Sequence, residues 1–192
     1  MGEAKRKLEE VRTTMLRVVE GWMLEPTEWE ARMVAEVRRL PRIEGQRYPP
    51  HVLAYMKMKM GECHANAWFM EREDPDMLNK RVVGWTVTDG QFVLHSVVRR
   101  GEDMFCVTPA PRGAGEVLTF LPDSAIVCEE IDGRFVHLRG GERIKYGLRP
   151  DPAASIEFGH LLLSRLKSGM NPYKAMEIAP PAINVEADRN AQ

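Results

Sequence analysis

Apolar positions in the first forty residues recur at helical spacing. Leu8, Val11, Met15, Val18, Val19 and Trp22 form one stripe in an otherwise charged segment, which predicts a helix over about 2–24. Thr27 and Glu30 then make a capping-box pair for a second helix, whose stripe is Trp29, Met33, Val34 and Val37; Pro41 stops it after Leu40. Residues 40–50, rich in Pro and Gly, read as a connector, and 51–60 as a short helix or an extended lead-in. The methionines of "YMKMKM" read as adaptable core filling. A helix is expected from Cys63 through "CHANAWFMERE", followed by a polar break.

From residue 82 the period becomes that of strands. "RVVGWTVT" and "QFVLHSVVRR" flank Asp89-Gly90, a two-residue hairpin turn, and "MFCVTP" supplies a third strand. "SAIVCEEI" and "RFVHLR" repeat the strand–turn–strand pattern around Asp132-Gly133. Asp151-Pro152 opens a helix to about Lys167, and "NPYKAMEI" a shorter one. This order predicts an α+β fold with a central antiparallel sheet packed against helices. It divides into a helical extension (1–40), an α+β domain (41–178) and a loose tail (179–192).

Composition narrows the function classes. The chain has 192 residues, 44% hydrophobic and 29% charged, with net charge −1, so neither nucleic acid nor a membrane surface is an expected partner. There is no apolar run of the ~20 residues needed to span a bilayer. The charged start "MGEAKRKLEEVR" lacks a signal-peptide apolar region, so export is not expected, and Arg6 breaks a myristoylation pattern. Three cysteines without a CxxC pair argue against a disulfide scaffold and for a reducing cytoplasm. Nothing calls for a cofactor. The two N-terminal helices pack within the chain or offer a surface to a protein partner.

The chemistry-bearing stretch is "GECHANA". A cysteine at a helix start gains thiolate character from the macrodipole, first-turn amides can hold an oxyanion, and a histidine from a neighbouring strand can act as base. Cys63 and His95 fit these roles, and Gly61 lets the chain turn sharply before them. Glu62, His64 and Asn66 are the candidate substrate-binding or oxyanion residues; Asn66, three residues on, shares the helix face of Cys63. Taken alone, each residue has a plainer explanation. Free cysteine is a common core residue, and a histidine on an apolar strand is usually a satisfied one. Cys106 and Cys128 sit in strand patterns and read as core, while His137 and His160 show no evident partner. A metal held by Cys63, His64 and His95 is disfavoured, because adjacent helical side chains diverge by about 100°.

The text "GECHANA", "VVGW", "HSVV" and "FCVTPAP", spanning 61–109, resembles the core of transglutaminase-like and papain-like cysteine enzymes. The resemblance implies a papain/transglutaminase-like fold with Cys63 as nucleophile and His95 as base. It also implies an acidic residue at the position of Thr108, which here is a hydroxyl that can only fix the imidazole tautomer. Asp103 is the alternative acid partner and Asp123 a third. The expected activity is a cysteine-dependent hydrolase or acyltransferase acting on an amide or ester bond of a peptide or small molecule. The competing expectation is a non-catalytic binding or regulatory protein on the same scaffold.

Overall fold

A computed structural model describes residues 2–88, 90–110, 114–131, 134–144 and 147–177. Asp89, the Asp132-Gly133 turn and the tail 179–192 lie outside the described residues. The elements run α1 (Glu3–Trp22), α2 (Glu28–Val37), β1 (Ile43–Arg47), α3 (Pro50–Tyr55), α4 (Cys63–Arg72), β2 (Asn79–Thr88), β3 (Gln91–Arg100), β4 (Asp103–Cys106) and β5 (Val117–Pro122). They continue with β6 (Ile126–Ile131), β7 (Arg134–Arg139), β8 (Glu142–Arg143), α5 (Pro152–Lys167) and α6 (Pro172–Ala175). Among the described residues, no helix is long and apolar enough to cross a membrane. Contacts divide the chain into two units, one made of residues 1–34, 89–91 and 149–192, the other of 35–88 and 92–148.

In the first unit the stripe of α1 meets α5 and α6. Val19, Leu162, Leu166 and Ala175 are buried together, with Met15, Trp22 and Phe158 packed on them. Fully burying such aliphatic side chains contributes roughly 1.5–3 kcal/mol each. Arg12 donates to the Leu166 carbonyl at 2.7 Å, adding a side-chain donor to the last turn of α5, where that carbonyl also accepts from the Gly169 amide at 3.3 Å. Thr27 caps α2 through the Glu30 amide at 3.1 Å. The Glu30 carboxylate, expected to close a capping box, instead takes Arg149 at 2.6 and 2.9 Å, with both side chains buried. Arg149 also donates to the carbonyls of Trp22 and Leu24 at 2.7 and 2.6 Å.

The second unit contains a closed barrel with strand order β1-β4-β3-β2-β5 and a separate three-stranded sheet, β6-β7-β8. The fold is α+β, as expected. The single central antiparallel sheet is corrected, because the strands close into a barrel in which β1 runs parallel to β4 and antiparallel to β5. The 40–50 connector contains the closing strand. Gly45 lies so near β5 that a Cβ there would meet Leu118 Cδ2 at 2.8 Å. The barrel is filled by side chains, as a small one must be. Val97, Cys106, Leu118 and Phe120 are buried with Ile43, Val82 and Met104 around them. On the opposite side of β3, Val98 and Val107 pack against Leu53 of α3 and Ala67 of α4, and Met56, Met58 and Met70 complete that layer.

Candidate active site

Helix α4 begins at Cys63 because the chain reverses just before it. Gly61 has φ +78°, in the left-handed region that suits glycine. The N-cap residue, Glu62, makes no side-chain cap bond; its exposed carboxylate lies 3.6 Å from the Lys59 ammonium. Asn66 supplies the missing restraint from inside the helix. Its Oδ1 accepts from the Lys59 amide at 3.2 Å, and its Nδ2 donates to the Lys59 carbonyl at 2.8 Å and to Thr108 Oγ1 at 3.2 Å. The amide expected to face substrate thus ties the turn before Cys63 to the segment leaving β4.

Cys63 is buried, and burial pushes its thiol above the ordinary cysteine value. Backbone hydrogen bonds from Ser96 and His64 pull the other way without prevailing. The expected net gain in thiolate character is therefore corrected, since desolvation outweighs the helix-start donors. The contact with Ser96 sets the sulfur against the main chain of the residue that follows His95.

Alternation along β3 separates the next two side chains. Ser96 turns toward α4, where its Oγ lies 2.7 Å from His64 Nδ1. His95 shares its face with Val97, inside the barrel, edge-on to Phe120 at 6.5 Å between centroids. Its Nε2 lies 3.3 Å from the sulfur of Cys106, and no hydrogen bond joins it to Cys63 among the described residues. The Cys106 thiol donates to the Thr108 carbonyl at 3.7 Å and receives Arg47 Nη1 at 3.5 Å. Burial and the Arg47 charge lower His95 to about 4, so the ring is neutral at pH 7.

The remaining candidates fall as follows. β4 ends at Cys106, and Thr108, where the resemblance asks for an acid, lies just beyond it with its hydroxyl accepting from Asn66. Asp103, the alternative acid partner, pairs with Arg100, five residues or roughly 16 Å along the strand from His95. Asp123 is buried too, but it accepts Trp85 Nε1 at 2.9 Å and Arg139 Nε at 2.7 Å. His64 is half-buried and its ring lies 4.1 Å from that of His137 on β7. Burial, then the His137, His95 and Arg81 charges, lower His64 to about 4. His137 is buried with its Nε2 unpartnered.

Sequence reasoning missed Cys106 and Arg47 as site residues. The one available signal was that Cys106 stands two residues before Thr108, at the end of the strand that returns from His95. Cys128, also read as core, is half-buried on β6, opposite His137. Among the described residues, no group of three or more His, Cys, Asp or Glu side chains is arranged to hold a metal ion. Comparison with known proteins gives no matching family model, no matching curated protein and no matching solved structure.

Proposed function

We propose that this protein is a cysteine-dependent hydrolase or acyltransferase acting on an amide or ester bond, with Cys63 as nucleophile and His95 as base. The observation that supports it is the seat of the Cys63 sulfur: first residue of α4, against the main chain of Ser96, the residue that follows His95 on β3. In the first half-reaction the thiol proton passes to the unprotonated nitrogen of His95 as the sulfur–carbon bond forms. The carbonyl oxygen takes the negative charge, held by first-turn amides, and collapse returns the proton to the departing amine or alcohol. Water or an amine then releases the acyl group by the same steps in reverse order. A transglutaminase- or papain-like core belongs to this proposal: a helix opening on cysteine, packed on a hairpin whose second strand carries histidine. So do a peptide or small amide or ester substrate, a protein partner for the N-terminal helices, and a cytoplasmic setting suited to three free thiols.

One observation favours a second reading, a binding or regulatory protein on the same scaffold. Burial raises Cys63 and lowers His95 to about 4, so no thiolate–imidazolium pair stands ready without substrate. Acylation separates the two readings. The full chain is incubated with a panel of p-nitrophenyl acyl esters and its intact mass followed. An acyl adduct on Cys63 that is absent from Cys63→Ala and slowed in His95→Gln is the expected result. Ester cleavage that is identical in Cys63→Ala, with no adduct from any donor, overturns the enzyme reading.

A further inference from the structure

Cys106 touches three groups, and their hydrogen-bonding abilities leave one consistent assignment. The Thr108 carbonyl only accepts, so the Cys106 S–H points to it. The Arg47 guanidinium only donates, so Nη1–H is directed at the sulfur. With its proton given to Thr108, the sulfur accepts from His95, and Nε2 then carries the imidazole proton; the reverse arrangement, S–H to an unprotonated Nε2, would leave the Thr108 carbonyl contact without a proton. Nδ1 is then the basic nitrogen. It is the ring nitrogen nearer the main chain, and it makes no hydrogen bond among the described residues. The Cys63 sulfur lies against that same main chain, at Ser96.

We infer that Cys106 is the positioning residue for His95: its buried sulfur fixes the Nε2–H tautomer and leaves Nδ1 free to take a proton. This rests on the proposed Cys63–His95 chemistry for its functional sense. It puts a thiol where a carboxylate would orient a catalytic imidazole. The chemical consequence differs from that of a carboxylate. A neutral sulfur orients the ring without stabilising its protonated form, which agrees with a histidine held well below its ordinary range. Burial also pushes the Cys106 thiol up, so the sulfur keeps the proton it gives to Thr108. Arg47 holds the sulfur from the other side, on the closing strand of the barrel.

The test is nitrogen NMR of the full chain with labelled histidine, in the wild type, Cys106→Ser and Cys106→Val, alongside Cys63 alkylation by iodoacetamide at pH 7. The wild type and the serine variant should show His95 as the Nε2–H tautomer, because a serine hydroxyl also donates to Thr108 and accepts from the ring. The valine variant should show mixed tautomers, and its Cys63 alkylation should fall ~100-fold, the low end of what a positioned base contributes. A wild-type His95 protonated on Nδ1 overturns the inference, and so does an unchanged tautomer in a folded valine variant. If the valine variant does not fold, the wild-type and serine tautomers decide. If the tautomer shifts while alkylation holds steady, Cys106 does orient His95 and the Cys63–His95 reading is what fails.

Discussion

The side chains of Asn66 and Thr108 meet at 3.2 Å across forty-two positions of sequence, tying the first turn of α4 to the segment that leaves β4. The same Asn66 amide also clamps both backbone groups of Lys59, so one buried side chain fixes the reversal before Cys63. Replacing Asn66 with Ala removes these bonds and takes a donor from the buried Thr108 hydroxyl, a loss of about 1–3 kcal/mol. We expect a matching drop in urea stability and a changed alkylation rate at Cys63. Unaltered stability would show that the Lys59 turn is held by something else.

Cys63 titrates above an ordinary thiol, and His95 is neutral down to about pH 4. The alkylation rate of Cys63 should therefore rise in a single step, with its midpoint above the ~8.5 of a free cysteine. A separate low-pH plateau would show a preformed thiolate–imidazolium pair and contradict the neutral ground state.

His64 and His95 both stand near 4 when folded, against ~6.5 in an unfolded chain. Between those values the unfolded state binds more protons. The stability these rings contribute is thus complete above pH 6.5 and falls as pH drops toward 4. Protonating His64 also sets a charge 4.1 Å from the His137 ring, within the field of Arg81. Urea unfolding from pH 7 to 4.5 should show a decline of a few kcal/mol, and His64→Gln should flatten it. Equal slopes in the two proteins would remove His64 from the account.

Glu30 and Arg149 form a buried pair, so truncating one partner strands the other's charge. Glu30→Ala should cost about 3–5 kcal/mol. A double-mutant cycle with Arg149→Leu should show strong coupling, the double variant losing less than the sum of the singles. Additive losses would reduce the pair to two independent contacts.

The two other acids separate by location. Asp103→Asn, exposed at the far end of its hairpin, should change stability by less than ~0.5 kcal/mol and leave Cys63 alkylation as it was. Asp123→Asn weakens the bonds from Trp85 and Arg139 and should lower stability without altering the pH profile of alkylation. A profile that moves in Asp103→Asn would return that residue to candidacy.

Local pattern was enough where the chain pairs with its neighbour. The α1 stripe, the start of α4 at Cys63 and the long β2–β3 hairpin all follow from periodicity and turn residues. Barrel closure was not legible, because β1 is five residues of "IEGQR" that become a strand only between two partners distant in sequence. Cys63 and His95 were visible as residue types. Their relation was not, since a one-residue step along β3 decides which side of the strand a ring occupies. Cys106 looked like core and is core by burial; only its three polar neighbours distinguish it.

The pairing of α1 with α5 has a consequence for biosynthesis. About 130 residues separate Trp22 from Pro152, so at ribosomal speed α1 waits on the order of ten seconds for the helix that covers it. The barrel's strands have all emerged by then, and the middle of the chain can mature first. Until synthesis reaches α5, Leu16, Val19 and Met23 stand uncovered on the nascent polypeptide.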